Sequence, residues 1–257
     1  MMPSPSGSPE PFGPETPWHG EARALLESAI SRHGGWDAWR ALGTLSLWFV
    51  HLDGVIPLLK GEGGTFPAPG RVDATPHEHR AVFYDYPAPG TRGLYSNGKV
   101  ALIGAGDAVV DTHPDRRATF RGFGKWRRWS PLDALYFFGY AITHYLSLPF
   151  TLADATPLGR RDITQDGRRL TGIAVALPVE LHTHSARQTF YFDDGLLMRH
   201  DYVADIISPL ARGAHHSRDY VRAQGIAVAR ERHVVARVGR WRMPLVALHA
   251  DLEVMSG

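Results

Sequence analysis

The sequence contains no cysteine among its 257 residues. This absence excludes disulfide scaffolds, thiolate zinc sites, iron–sulfur clusters and cysteine nucleophiles. Neither sign of charge is in large excess, since the chain has 28 basic and 26 acidic residues. No nucleic-acid partner is therefore expected. The longest apolar segment, Leu132 to Leu146, falls short of the ~18 uninterrupted apolar residues that span a bilayer. We therefore expect no transmembrane segment.

The N-terminal stretch MMPSPSGSPEPFGPETP has no basic region followed by an apolar one, which predicts that it is not a secretory signal. Its proline, serine and glycine content predicts a flexible tail over residues 1–17. Residues 18–257 are expected to form a single domain, because no low-complexity linker or repeat divides them. These features together predict a cytoplasmic protein.

Three helices are expected. Residues Glu21 to Arg32 carry apolar side chains at a spacing of three and four, and a second, short helix follows over Trp36 to Leu42. The third, Leu132 to Leu146, is capped by Ser130 and is apolar nearly all round. Such a helix is expected to be buried or to line a cavity.

The remaining segments alternate with the period of strands and are joined by short turns, which predicts one antiparallel sheet. Both faces of the first strand are largely apolar, so it is expected to lie in mid-sheet with cover on both sides. The predicted strands are Leu45 to Asp53, Val72 to Thr75, His79 to Tyr86, Gly93 to Tyr95, Lys99 to Ile103, Ala108 to Thr112, Leu170 to Leu177, Ala186 to Asp193, Leu197 to Asp205, Ala214 to Arg222, Ile226 to Val238 and Leu245 to Val254.

The order of these elements resembles the LolA/LolB-like half-barrel fold of bacterial lipoprotein-localisation factors. The resemblance depends on the opening SRHGGWDAWRAL, residues 31–42, and on the hairpin QTFYFDDGLLMRH, residues 188–200. It implies an α+β fold in which a curved antiparallel sheet wraps around helices and leaves an apolar cavity. In the carriers of this family the cavity accepts acyl chains, so the resemblance implies a hydrophobic small molecule as partner.

Histidine and tyrosine cluster on two of the predicted strands. His200 and Tyr202 share one face of their strand, and His216, Arg218 and Tyr220 alternate along the next. Residues 215, 217 and 219 lie on the other face of that next strand, and they are the alternative neighbours of His200. Paired imidazoles and phenols suit proton transfer, so these five residues are the candidate catalytic group.

A second motif is His182-x-His184, whose side chains point the same way if the segment is a strand. Two such imidazoles could chelate a metal together with a third ligand from His200, His215 or His216. The same residues also fit a loop before the next strand. No complete ligand set follows from the spacing, so the expectation is a protein without a cofactor, with a histidine-bound metal as the alternative.

Tyr136, Tyr140 and His144 recur every fourth residue and form a polar-tipped ridge on the third helix. A pocket needs this mixture of apolar wall and a few hydrogen-bonding groups. The ridge is therefore a candidate ligand-binding surface, together with Tyr191 and Met198 on the hairpin strands. The alternative is an aromatic core stripe whose hydroxyls find backbone partners.

The segment RGFGKWRRW, residues 121–129, is predicted to be a solvated loop with its tryptophans folded onto the sheet, and peripheral contact with a membrane is the alternative.

These features together predict a protein that binds an apolar or amphipathic small molecule, lipid-like or polyketide-like, in the half-barrel cavity. The alternative is a cofactor-free cyclase, isomerase or hydrolase in the same cavity.

Overall fold

The computed structural model describes residues 16–66, 70–238 and 241–255. Four α-helices lie in this part of the chain: α1 (Gly20–Arg32), α2 (Gly35–Ala41), α3 (Val55–Lys60) and α4 (Pro131–Ser147). The strands there are β1 (Leu45–Asp53), β2 (Arg71–Thr75), β3 (Arg80–Tyr84), β4 (Arg92–Ser96), β5 (Lys99–Ile103), β6 (Val109–His113), β7 (Thr156–Arg160), β8 (Ile163–Gln165), β9 (Arg168–Ala176), β10 (Arg187–Asp193), β11 (Leu196–Val203), β12 (Arg212–Ala223), β13 (Ile226–Val238) and β14 (Trp241–Val254).

These strands form one antiparallel sheet in the order β6-β5-β4-β3-β2-β1-β14-β13-β12-β11-β10-β9-β7, with β8 paired to β9. The sheet is open, since β6 and β7 are its edges in the described part of the chain. The last strand, β14, pairs with the first, β1, and this pairing joins the two halves of the sheet. The fold is the predicted α+β arrangement of a curved antiparallel sheet around helices.

Helix α4 lies against one face of the sheet, which we call the inner face; the opposite face is the outer face. The helix packs on β2 to β6, and its residues are buried on nearly every side. Its start is fixed as predicted, because the Ser130 side chain and the Asp133 backbone and side chain form a capping box. The buried Asp133 carboxylate also accepts a hydrogen bond from Arg116 at 2.8 Å.

Glycine allows α4 to approach the sheet closely. A Cβ atom at Gly139 would lie 2.2 Å from the ring of Tyr95 on β4, a distance at which neither group can stay in place. The missing side chain is therefore required for the helix to rest against β4. Tyr95 is 1% exposed and fills the space that any other residue would need.

The predicted helices and strands are present: β1, β5 and β13 have the predicted bounds, and the others have shifted ends. Helix α3 and strands β7 and β8 were not predicted. The prediction for β1 was right about its mid-sheet position and wrong about cover on both faces, because Trp48 and Val50 are 47% and 59% exposed. An irregularity between Phe49 and His51 also changes its alternation. As a result Leu52 joins Phe49 on the inner face, and His51 turns to the outer face.

The predicted tail over residues 1–17 lies almost wholly outside the described residues. Trp18, at its end, is fully buried in the core. In the described ranges no helix has the length and apolar character that a bilayer crossing requires. The cytoplasmic location stays a prediction.

Candidate functional site

Three neighbouring strands bring buried polar side chains together under α4. His200 on β11 lies directly opposite His215 on β12, and their ring centroids are 4.6 Å apart. Ser217 on β12 lies opposite Arg232 on β13. Tyr145 of α4 covers this group, with its ring centroid 4.5 Å from that of His215. The register thus selects His215 and Ser217 as the β12 residues on the inner face with His200.

The predicted ridge of α4 also faces histidines. The Tyr136 hydroxyl lies 2.9 Å from Nδ1 of His182, and the Tyr140 hydroxyl lies 3.0 Å from Nδ1 of His184. His144, the third member, is fully buried. The two tyrosine hydroxyls therefore have side-chain partners, and these partners come from the segment between β9 and β10.

Tyr145 was not predicted, because it lies one residue beyond the four-residue spacing of the ridge. Its hydroxyl lies 2.5 Å from Nε2 of His184, and its ring packs against His200 with centroids 5.5 Å apart. On the other side of His184, the ring of Tyr202 is stacked at 3.9 Å. Tyr145 and Tyr202 therefore connect the histidine of the loop with those of the sheet.

Burial decides the protonation state of these histidines. Desolvation lowers the pKa of His144 to about 3, and it holds the pKa values of His184, His200 and His215 well below the ordinary range. Neighbouring imidazoles lower them further, because positive charges so close together repel one another. All four rings are consequently neutral near pH 7, and each has one donor and one acceptor nitrogen.

Several polar atoms of the cluster have no hydrogen-bond partner among the described residues. They include both ring nitrogens of His200 and of His215 and the Nε atom of Arg232. A buried polar group without a partner costs about 1–3 kcal/mol, and buried polar groups are normally paired. This concentration of unpaired donors and acceptors marks the inner face of β11 to β13 as a candidate binding site.

A narrow slot leads from the cluster between α4 and the sheet. The open space in it is about 30 Å³, room for about one water molecule. Its polar end is formed by Tyr145, His215 and Arg232. The remaining walls are apolar and come from α4, β1, β13 and β14: Phe49, Leu52, Phe137, Phe138, Ala141, Ile142, Val234, Leu248, Ala250 and Leu252. The sequence predicts a cavity, and these residues leave only a narrow slot with one polar end.

Arg232, at the polar end of the slot, is a buried basic residue without an acidic partner among the described residues. It is 8% exposed, and its Cζ atom lies 4.8 Å from the centroid of the Tyr145 ring. No aspartate or glutamate of the described residues forms an ion pair with it, whereas the buried Arg199 pairs with Asp201 at 2.7 Å. Desolvation lowers the pKa of Arg232, yet a guanidinium stays protonated in proteins. The slot therefore ends at a buried, uncompensated positive charge.

The structure separates three predicted residues from this group. His216 lies opposite Arg199 on the outer face, and Arg218 is half exposed there and pairs with Glu231 at 3.4 Å. Tyr191 also lies on the outer face, where the Arg199 guanidinium packs over its ring. The physical reason is alternation: neighbours of inner-face residues in a strand point the other way.

Two further predicted residues are affected by irregular pairing. Asp219 has a φ of 51°, and the pairing of β12 with β13 skips it, so that Tyr220 turns to the inner face. There its ring packs edge-on against His33 rather than against His200. Met198 lies at the irregularity between β10 and β11, where Leu197 instead pairs with Phe192. Of the five candidate catalytic residues, His200 and Tyr202 are in direct contact, with ring centroids 4.9 Å apart.

The predicted metal pair, His182 and His184, lies in the loop before β10 rather than in a strand. Their Nδ1 atoms face the hydroxyls of the α4 tyrosines, and a Cβ atom at Gly98 would lie 2.2 Å from Nε2 of His182. Among the described residues, the group of three metal-ligating side chains found together is His51, Asp53 and His249, on the outer face. The metal prediction at the loop therefore lacks a third ligand.

The prediction that the tryptophans of the basic aromatic segment fold inward is right for Trp129 and wrong for Trp126. Trp129 is folded inward and stacks on Phe66 with ring centroids 5.5 Å apart. Phe123 and Trp126, in contrast, are 94% and 72% exposed. Their side chains form an aromatic tip on the surface, flanked by Lys125.

Arg232 was missed because charged residues on a strand ordinarily face water. The sequence did contain one indication of its burial: Arg232 lies two residues before Val234, so strand alternation puts both side chains on the apolar face of β13. His215 appeared only as an alternative, since the register that places it opposite His200 is a tertiary property.

Comparisons with known proteins address the fold. A scan against protein-family profiles gives no match, and neither does a search of curated proteins. Among solved structures, a LolA superfamily protein from Nitrosomonas europaea is similar over 91% of this chain and 92% of its own, at 10% identity and a TM-score of 0.48. A DUF1329 family protein from Desulfovibrio piger is similar over 90% of both chains, at 13% identity and a TM-score of 0.49. A LolA superfamily protein is thus among the solved structures similar to this chain, in line with the predicted resemblance and as a likeness of fold alone.

Proposed function

We propose that this protein binds an amphipathic small molecule with a carboxylate or similar anionic head group, whose apolar part lies between α4 and strands β1, β13 and β14. The observation that carries the proposal is Arg232, a buried guanidinium at the end of an apolar slot with no acidic partner in the described part of the chain. A bound anion supplies the missing negative charge.

The energetic argument follows from the burial of that charge. An uncompensated charge inside a protein costs about 3–5 kcal/mol, and a well-placed anion recovers part of this. The planar guanidinium can hold a carboxylate through two parallel hydrogen bonds. Ser217, opposite Arg232, and the neutral ring of His215 can donate further hydrogen bonds to the same head group.

The apolar wall supports a hydrocarbon tail or ring system as the other half of the ligand. Ligand pockets commonly measure about 300–1,000 Å³, about ten times or more the ≈ 30 Å³ open here. Binding therefore requires the slot to widen, by movement of side chains such as Phe137 and Phe138 or of α4 itself. The apolar contacts released between the slot walls are replaced by contacts with the ligand.

The test compares hexadecanoic acid with hexadecanol, which has the same chain and no charge. We expect the acid to bind more tightly, and Arg232→Met to weaken acid binding by about tenfold or more, the equivalent of one charge-assisted hydrogen bond of ~1.5 kcal/mol. Alcohol binding should change little. Arg218→Met, on the outer face, is the matched control and should bind both ligands as the wild type does. Equal affinity for acid and alcohol, or unchanged acid binding by Arg232→Met, contradicts the proposal.

A cofactor-free enzyme is the second candidate function, because neutral imidazoles with unpaired nitrogens lie beside the proposed head-group position. His200 or His215 could accept a proton from a bound substrate, and Tyr202 could donate a hydrogen bond to a developing oxyanion. p-Nitrophenyl esters of fatty acids test the hydrolase form of this candidate. Turnover that His200→Ala abolishes while acid binding stays within a few-fold supports it, and no turnover above buffer by the wild type argues against it.

A further inference from the structure

A second group of functional side chains lies on the outer face, where the first strand meets the last. Asp53 of β1 is opposite His249 of β14, and His51 is opposite Asp251. Ordinary alternation puts His51 and Asp53 on the same side of β1, and the irregularity at Val50 turns that side to the outer face. Histidines and aspartates from two distant parts of the sequence therefore meet on one patch.

Three of these side chains have their ligand atoms close together. Nε2 of His51 is 3.0 Å from one carboxylate oxygen of Asp53, and Nδ1 of His249 is 3.9 Å from the other. The candidate ligand atoms of all three lie within 4.8 Å of one another. Two ligands of a tetrahedral metal with bonds of about 2.0–2.1 Å are about 3.3 Å apart, so small side-chain rotations bring these atoms onto one ion.

The orientation of His249 is a separate observation. Its Nδ1 atom faces Asp53, while its Nε2 atom lies 3.3 Å from Asp251. A ring that donates a proton from Nε2 to Asp251 presents the lone pair of Nδ1 to the space shared with His51 and Asp53. Histidines that bind metals are usually held in this way, by a carboxylate at the second nitrogen.

The charges of the patch also favour a cation. The ion-pair partners of Asp53 and Asp251 among the described residues are histidines, without a lysine or arginine. The next carboxylate, Glu231, is paired with Arg218. With neutral imidazoles, the form that binds metals, the patch carries two uncompensated negative charges. His233, with its ring centroid 5.6 Å from that of His249, adds a further imidazole beside it.

We propose that His51, Asp53 and His249 bind a divalent transition-metal ion of the zinc class, with Asp251 orienting His249. Two imidazole nitrogens and a carboxylate oxygen are the donor set that zinc accepts, whereas calcium and magnesium prefer oxygen donors alone. The exposure of His51 and Asp53, 46% and 57%, leaves a further coordination position open to water. The ion would join β1 to β14 and so connect the two halves of the sheet.

The test is titration of the metal-stripped full chain with Zn²⁺, by equilibrium dialysis and by thermal unfolding. We expect one zinc ion per chain and a melting temperature that rises with zinc concentration, because an ion that binds only the folded state stabilises it. His51→Ala and His249→Ala should each weaken zinc binding by about tenfold or more and remove the zinc-dependent rise in melting temperature. All these positions are partly exposed, so the variants should melt near the wild-type temperature without zinc.

His182→Ala is the matched control, because it removes an imidazole from the other histidine pair. It should bind zinc as the wild type does. Zinc binding that persists in the double variant His51→Ala/His249→Ala, or that is lost in His182→Ala, overturns the proposal. Asp251→Asn separates the two roles of the carboxylates: it should weaken binding less than Asp53→Asn does, because Asp251 acts through His249. None of these results depends on ligand binding at Arg232, which lies on the other face of the sheet.

Discussion

Arg232 of β13 directs its guanidinium at the ring of Tyr145 on α4, with 4.8 Å between Cζ and the ring centroid. A desolvated contact of this kind contributes about 2 kcal/mol, less than the several kcal/mol that an unpaired buried charge costs. We therefore expect Arg232 to destabilise the fold in the absence of an anion. A residue that lowers stability in this way is typical of a binding site.

The first prediction concerns this cost. Arg232→Met keeps much of the side-chain volume and removes the charge, so the free energy of unfolding without ligand should rise by about 1–4 kcal/mol. Urea unfolding followed by tryptophan fluorescence measures it. Arg218→Met should change stability by less than about 0.5 kcal/mol, since its exposed pair contributes little. A marked loss of stability in Arg232→Met contradicts the role given to this residue.

The second prediction is a loss of stability in mild acid. Burial lowers the pKa of His33 to about 4 and that of His144 to about 3, and both are near 6.5 when unfolded. The unfolded chain thus binds more protons than the folded chain as pH falls below 6.5, and stability decreases through the window from about 6.5 to 3. Each such histidine contributes a slope of about 1.4 kcal/mol per pH unit.

Urea unfolding at a series of pH values from neutral to mildly acidic measures that slope. His144→Leu should reduce this slope by the contribution of one histidine, about 1.4 kcal/mol per pH unit, because leucine cannot take up a proton on unfolding. His77→Leu is the matched control, since His77 lies near the surface beside Trp39. The same slope in the wild type and in His144→Leu would show that His144 is not buried in its neutral form.

The third prediction tests the contact of α4 with the sheet. Gly139→Ala places a Cβ atom where the ring of Tyr95 lies, and overpacking of this kind costs about 1–3 kcal/mol. Gly43→Ala is the control, because its nearest neighbour would be the flexible side chain of Gln224 at 3.5 Å. Thermal unfolding compares the two variants. An unchanged melting temperature in Gly139→Ala means that α4 does not lie against β4 as described.

The fourth prediction concerns the aromatic tip formed by Phe123 and Trp126. Exposed aromatic side chains next to basic residues favour contact with an anionic membrane surface. The wild-type protein should co-sediment with vesicles of phosphatidylglycerol and phosphatidylcholine. The double variant Phe123→Ser/Trp126→Ser should lose most of this binding. Leu210→Ser is a matched control, because Leu210 is 80% exposed elsewhere on the surface. If this control binds vesicles no better than the double variant, the tip is not the contact site.

The candidate site was predictable where local sequence alone places a residue. The four-residue spacing of Tyr136 and Tyr140 along α4 put both hydroxyls on the side of the histidines, and strand alternation put His200 with Tyr202. Alternation failed wherever the backbone departs from regular pairing. The left-handed backbone at Asp219, with a φ of 51°, moved Tyr220 to the inner face, and no local pattern predicts such a change.

The sequence by itself determined the class of the fold, since period-two alternation, turn residues and the capped helix after Ser130 are local properties of the backbone. Only the tertiary structure decided which polar groups meet. The pairing of His200 with His215, the burial of Arg232 and the meeting of Asp53 with His249 depend on the register between strands. Register is set by the whole core, because a shift of one residue exchanges the two faces of a strand.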